Sequence, residues 1–312
     1  MIRRALLLGA AVLLLAGVGS AAASTGSLVG VRPAADDQSW LVMTLAGGRT
    51  AHATALVLNL SDAPQTVAIG TADGVTTTEG VFTLAGDAET PTGVGAWIRL
   101  PRRSARLAPG ERLRLPVTLR VPRGTPPGDY SGGIVVQAGA RTEKPTAGGL
   151  AVRVVERVGL RVYVTVPGAR DGTLAVQRLD ARTVDAGGLK GVLGLPGSVD
   201  VRFAVRNTGN VQYPHLAGEV QLLEGGDLRA SRPVDLGTLL PGGLRPVSVS
   251  MPLPEWSPGR YHVAVRIDGL PEARGEAVTS VSAMRVYAAG ALLLIMASLA
   301  GYGVWRRGRR AR

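Results

Sequence analysis

The 312-residue sequence contains no cysteine, which excludes a disulfide framework, a thiolate metal site and a lipid-modified cysteine behind a leader. Lysine is almost absent, with only Lys144 and Lys190 beside abundant arginine. That bias reflects a GC-rich genome more than a chemistry. Aromatic residues make up 4%, so Trp97, Tyr130, Phe203 and Tyr261 read first as core anchors and second as ligand platforms. His52, His215 and His262 are isolated, with no second histidine or carboxylate at metal-ligand spacing. No metal and no cofactor is expected. The sequence also lacks a GxSxG elbow, an SxxK motif and a phosphate-binding loop, since the glycine-rich run 186–191 has no strand-loop-helix setting. Asp36-Asp37 reads as a solvated turn before it reads as a calcium ligand. Catalysis is not expected.

Two long apolar runs are present, one at each end. Arg3 and Arg4 precede an uncharged stretch over 5–18 and then Ala21-Ala22-Ala23-Ser24, the basic, apolar and small-residue order of a secretory leader. Residues 1–23 are expected to be removed. Residues 286–305 carry no charge, and at about 1.5 Å per helical residue they cover roughly 30 Å, the hydrocarbon thickness of a bilayer. Tyr287, Tyr302 and Trp305 stand near the ends of this run, and Arg306, Arg307, Arg309, Arg310 and Arg312 follow it. Such a cluster stays on the cytoplasmic side. The expectation is a single-pass cell-membrane protein with its N-terminal part outside, a helix at 286–305 in the lipid bilayer, and a cytoplasmic basic tail at 306–312.

The formal charge of +12 overstates the folded part. Two arginines leave with the leader and five sit in the tail, which brings the balance to about +5 without a dense basic patch. Nucleic-acid binding is not indicated. The glycine and proline content argues for many turns and against long helices.

Between the ends, several segments alternate with a period of two, the mark of a strand with one buried and one wet face. The clearest are 113–121, 160–166, 199–206 and 261–268; 54–60 and 133–137 add further runs. One turn-and-strand grammar occurs twice. Leu107-Ala108-Pro109-Gly110, a strand to Val121-Pro122, and Pro127-Gly128-Asp129-Tyr130 are echoed by Leu240-Pro241-Gly242-Gly243, a strand to Met251-Pro252, and Pro258-Gly259-Arg260-Tyr261. Each copy follows a strand ending in an asparagine turn, at Asn59 and at Asn207. Pro-Gly forces a turn between antiparallel strands, and the tyrosine that opens the next strand can be buried. The expected fold is all-β: two immunoglobulin-like β-sandwich domains at 25–168 and 169–280, divided near Pro167-Gly168, plus one C-terminal transmembrane helix. Residues 73–95 and 138–149, rich in Gly, Thr and Pro, read as long loops.

The first of these domains resembles the peptidoglycan-binding domain of the WxL-interacting protein family, in a variant from GC-rich Gram-positive bacteria. The likeness lies in Gly30-Val31-Arg32-Pro33, Leu58-Asn59-Leu60-Ser61-Asp62, Pro91 through Ile98, Pro127 through Val136, and Arg157 through Val164. The order of leader, two sandwiches, span and basic tail is similar too. The resemblance implies binding of cell-wall peptidoglycan by the first domain and contact with another cell-surface protein by the second. For such a ligand, aromatic faces suit sugar rings and arginines suit carboxylates, which makes Trp40, Trp97, Arg102, Arg103 and Arg141 the candidate contacts. The leading expectation is therefore a non-enzymatic wall-binding scaffold or adhesion component. The alternative is an extracytoplasmic chaperone or assembly subunit that holds a client strand on an exposed sheet edge.

Overall fold

The computed structural model describes residues 28–139, 141–143, 152–185, 188, 196–253, 259–281 and 294–301. The expected leader at 1–23 and the basic tail at 306–312 lie outside the described residues. So does the expected span apart from 294–301, which is helical. Leu294, Ile295, Met296 and Leu299 of that piece are all exposed. Among the described residues, no helix is long and apolar enough to cross a membrane.

The period-two segments form strands whose alternate side chains are buried. In β8 (Arg112–Arg120), Leu115, Val117 and Leu119 are buried while Arg112, Arg114 and Arg120 face water. In β12 (Arg157–Val166) the buried set is Leu160, Val162, Val164 and Val166. In β14 (Pro196–Asn207) it is Val199, Val201, Phe203 and Val205, and in β18 (Gly259–Ile267) it is Tyr261, Val263, Val265 and Ile267. Each such side chain stabilises the fold by about 1.5–3 kcal/mol. A one-residue slip would turn the whole set to solvent, so the register is firmly specified.

Among the described residues, the first unit is built on two main sheets. One runs β1 (Val29–Pro33), β3 (Thr50–Asn59), β8, β6 (Ile98–Arg99). The other runs β2 (Leu41–Thr44), β12, β9 (Gly128–Ala138), β4 (Gln65–Thr76), β5 (Phe82–Leu84), with β7 (Ser104–Leu107) also against β4. Pairing is antiparallel except between β2 and β12. This is the strand order of an immunoglobulin-like sandwich, in which the first, second, fifth and fourth strands make one sheet and the third, sixth and seventh the other. The second unit repeats it with one change. β13 (Leu174–Asp185), β14 and β17 (Leu244–Pro252) face β16 (Asp227–Leu239), β15 (Tyr213–Glu224), β18 and β19 (Leu270–Val281), so the fourth strand, β16, joins the third instead of the fifth.

The repeated grammar has a common structural cause. Asn59 and Asn207, both fully buried, close the end of β3 and of β14. The Asn59 amide donates to the carbonyls of Ala63, Leu107 and Ala108, and its oxygen accepts the N–H of Ser61. The Asn207 amide donates to Val211 and Leu239, and its oxygen accepts the N–H of Gly209. Each asparagine thus ties the turn after its own strand to the chain entering the Pro-Gly turn. There Gly110 and Gly242 take φ of 69° and 76°, a region closed to most side chains.

Residues 73–95, expected as a loop, instead carry structure. β4 continues to Thr76, pairs with β5 and forms an arm, and residues 94–97 make one turn of helix, α1 (Val94–Trp97). The turn residues concealed this, because the partners that order them are distant in sequence. Asp73 accepts the N–H groups of Thr92, Gly93 and Gly95 at 2.7–2.8 Å and so anchors the approach to α1. β5 lies over the outer face of the sheet, where Ala72, Phe82, Leu84, Ala85 and Val135 build a second small core. Glycine at 133 and 159 makes this possible: a Cβ there would stand 2.8 and 2.6 Å from Leu84. The expected loop 138–149 is also partly ordered, since β10 (Arg141–Glu143) pairs with β11 (Val152–Val154).

The two sandwiches meet through polar and apolar contacts. Leu240 of the second unit completes the small core under the arm. At the arm's tip the Gly80 carbonyl accepts the N–H of Thr238, and Thr76 Oγ1 accepts that of Leu240. Arg245 donates to the Thr78 carbonyl. Nearer the linker, the buried carboxylate of Asp129 accepts hydrogen bonds from Thr165 Oγ1, both terminal nitrogens of Arg170, and the N–H of Gln212. Burial alone pushes its pKa up, but these donors and the Arg170 charge outweigh that and hold the carboxyl below its ordinary value.

Candidate site at an open strand edge

β4 is the outer strand of its sheet, and its free edge is only partly covered. Residues 65–68 pair with β7 and residues 74–76 pair with β5. Among the described residues, no strand lies on this edge beside residues 69–73, whose other edge pairs with β9. On this edge the Ile69 N–H donates to the Arg103 carbonyl at 2.7 Å, and the Asp73 carbonyl accepts from Ala85 at 2.8 Å. Backbone groups alternate sides along a strand. The N–H and C=O of Thr71, midway between Ile69 and Asp73, therefore point out of the same edge.

A cleft of about 400 Å³ opens there, lined by β4 on one side and by the Pro91–Arg103 stretch on the other. Ile69 and Ile98 are its buried, apolar parts. Arg99 and Arg103 are its charged ones, and both are exposed. Arg99 is steadied by donating to the Ala96 carbonyl at 2.6 Å. The Arg103 guanidinium has no protein acceptor among the described residues. Among the described residues, no acidic side chain lines the cleft, and nearby Asp73 is committed to its three backbone donors. The chemistry on offer is backbone hydrogen bonding along one strand edge together with two cations.

The five residues singled out from the sequence do not converge. Arg103 lines the cleft and Arg102 is exposed beside it. Trp97 is 8% exposed, with its ring 4.9 Å from that of Tyr130, and belongs to the main core. Arg141 lies on β10, and its side chain falls outside the described residues. Trp40 precedes β2, at the opposite edge of the sheet and roughly 14 Å away by strand spacing. There it stands 45% exposed and edge-on to Tyr163 at 6.2 Å, beside exposed Val42, while Arg161 covers Phe82 at 4.8 Å. Thr71 and Arg99 were missed by sequence reasoning. Gly70 inside a strand was the available signal, since an interior glycine marks a place where something approaches the backbone.

A second cleft, of about 510 Å³, follows the β18–β19 hairpin. Glu219, Arg266, Asp268, Arg274 and Glu276 alternate in sign around it, which gives it no preference for a ligand charge. Among the described residues, no group of three or more His, Asp or Glu could hold a metal ion.

No protein-family model and no curated protein matches the chain, so the resemblance to the WxL-interacting family has no match of that kind behind it. Solved structures similar to it include the class 5 fimbriae chaperone CfaA, at 12% identity and a TM-score of 0.35, covering 80% of this chain and 98% of that one. The YadV chaperone is similar at 11% identity and a TM-score of 0.36, over 81% and 100% of the two chains. The E. coli chaperone DraB is similar at 16% and 0.34, over 81% and 96%. Likenesses of this strength carry no argument, and the assignment of both sandwiches rests on their strand order.

Proposed function

We propose that this chain is a non-enzymatic, membrane-anchored extracytoplasmic protein that holds an extended segment of a partner polypeptide on the open edge of β4. The observation that carries this reading is the gap at residues 69–73, where Thr71 offers an unpaired strand edge inside a cleft with two arginines. An added strand gains affinity from main-chain hydrogen bonds and specificity from alternate side chains, so such an edge is a ready template for a client. The part of the β8 edge not covered by β6 is less inviting. Along β8, Pro116 sits in the strand without an N–H, and Arg112 and Arg114 flank it, a pattern that discourages pairing. The leader, the apolar run at 286–305 and the arginine tail support an outward-facing, anchored protein.

The test is a photoreactive amino acid at position 70, where a side chain meets nothing within 4 Å, compared with the same residue at position 114, exposed on β8. Irradiation of intact cells is expected to give polypeptide adducts from position 70 only. The crosslinked segment, synthesised alone, must then compete for the site. Adducts equal at both positions, or a segment that does not compete, would remove the reading.

A second reading, binding of cell-wall peptidoglycan, is favoured by one observation. Trp40 and Tyr163, with exposed Val42, form an aromatic and apolar face that suits a sugar ring. Cosedimentation with insoluble peptidoglycan that falls on Trp40→Ala would support it. Cosedimentation that is absent, or indifferent to that change, would count against it.

A further inference from the structure

We infer that the segment taken by the β4 edge is the carboxy terminus of a polypeptide, an inference that rests on the edge-binding reading above. The gap is bounded at both ends by strands already paired with β4. β7 stops it at the Ala68–Ser104 pair and β5 stops it at the Gly74–Leu84 pair. At about 3.3 Å per residue, the five residues between leave roughly 17 Å. The edge groups at both margins are already engaged, by Arg103 and by Ala85, so Thr71 is the centre of a very short template. A through-running chain would have to bend out of the sheet at both ends within a few residues. A chain end needs only one exit.

Charge selects which end. The ionised side chains lining the cleft are Arg99 and Arg103, with no carboxylate among the lining residues. A terminal ammonium is repelled there, whereas a terminal carboxylate can be bound in bidentate fashion by the Arg103 guanidinium, which has no acceptor among the described residues. The arginines also fix the direction. Arg103 stands at the Ile69 end of the gap, where its carbonyl takes the Ile69 N–H. The carboxylate therefore lies at that end and the rest of the segment leaves past Asp73. It runs antiparallel to β4, as β5 and β7 do.

The experiment offers the full-length chain in detergent micelles to a randomised pentapeptide pool with free carboxylates, and to the same pool carboxy-amidated. Retained peptides are identified by mass spectrometry and their affinities measured by fluorescence anisotropy. Free-carboxylate peptides are expected to bind about ten- to a hundred-fold more tightly than their amides, the range of a charged hydrogen-bonded pair. Arg103→Gln should abolish that difference, with Arg103→Lys restoring part of it. Thr71→Pro, which removes the outward N–H at the centre of the template, should weaken both forms. Equal binding of acid and amide, or binding of peptides extended beyond the selected carboxylate, would overturn the terminus inference while leaving edge binding intact. Retention of neither pool would overturn both.

Discussion

Replacing Asp129 with alanine tests how the two sandwiches are coupled. Its carboxylate is 7% exposed and serves four donor atoms, three of them from beyond the first unit's last strand. The Thr165 hydroxyl and the Gln212 N–H each lose a shielded acceptor, at about 1–1.5 kcal/mol apiece. Arg170 is half exposed and regains water, so its loss is held to about 0–1 kcal/mol. The sum is about 3 kcal/mol, which for a chain of this size lowers the Tm by about 6–12 °C. The pH dependence has a definite sign. The folded carboxyl titrates below its ordinary 3.8, so its stabilisation is complete above that value and is lost as pH falls through the lower folded one. Differential scanning calorimetry of wild type and Asp129→Ala in detergent should show the full gap at pH 7 and pH 5, narrowing below about 3.8. A shift at pH 7 of less than about 2 °C, or a gap that persists undiminished at the lowest pH, would refute the argument.

Further outcomes follow from the packing. Asn59→Ala and Asn207→Ala should each cost about 2–3 kcal/mol in denaturant unfolding, because each strands buried carbonyls; a cost at only one site would mean the two turns are not equivalent. Gly133→Ala should destabilise by about 2–3 kcal/mol and Gly159→Ala by about 1. At position 133 the new methyl meets the Leu160 carbonyl at 2.4 Å, whereas at 159 it meets the movable end of Leu84. Faster proteolysis at the arm's tip, residues 77–81, should accompany the first more than the second, and the reverse order would contradict the packing of β5.

The sandwiches were readable from the sequence because period-two burial is a local signal. The odd residues of 113–119 and of 199–205 that were expected inward are inward, except that Leu113 is half-buried. The repeat was readable because Asn59 and Asn207, with their Pro-Gly turns, do the same physical work twice. The arm and α1 were not readable. Their order comes from Asp73 reaching Thr92 and Gly95, and from Leu84 lying over Gly133 and Gly159, contacts that no window of neighbouring residues contains. The open edge was hidden for the same reason. An edge is defined by which strand fails to arrive, and Arg99 and Arg103 gained meaning only once β7 and β5 were seen to stop short of each other.

Hydrogen exchange at the Thr71 amide tests the central claim most directly. With the tightest peptide from the free-carboxylate pool bound, exchange of Thr71 N–H should slow by at least about tenfold, while amides along the outer edges of β8 and β16 keep their rates. A bound peptide that leaves Thr71 unprotected would place the partner elsewhere and contradict the account.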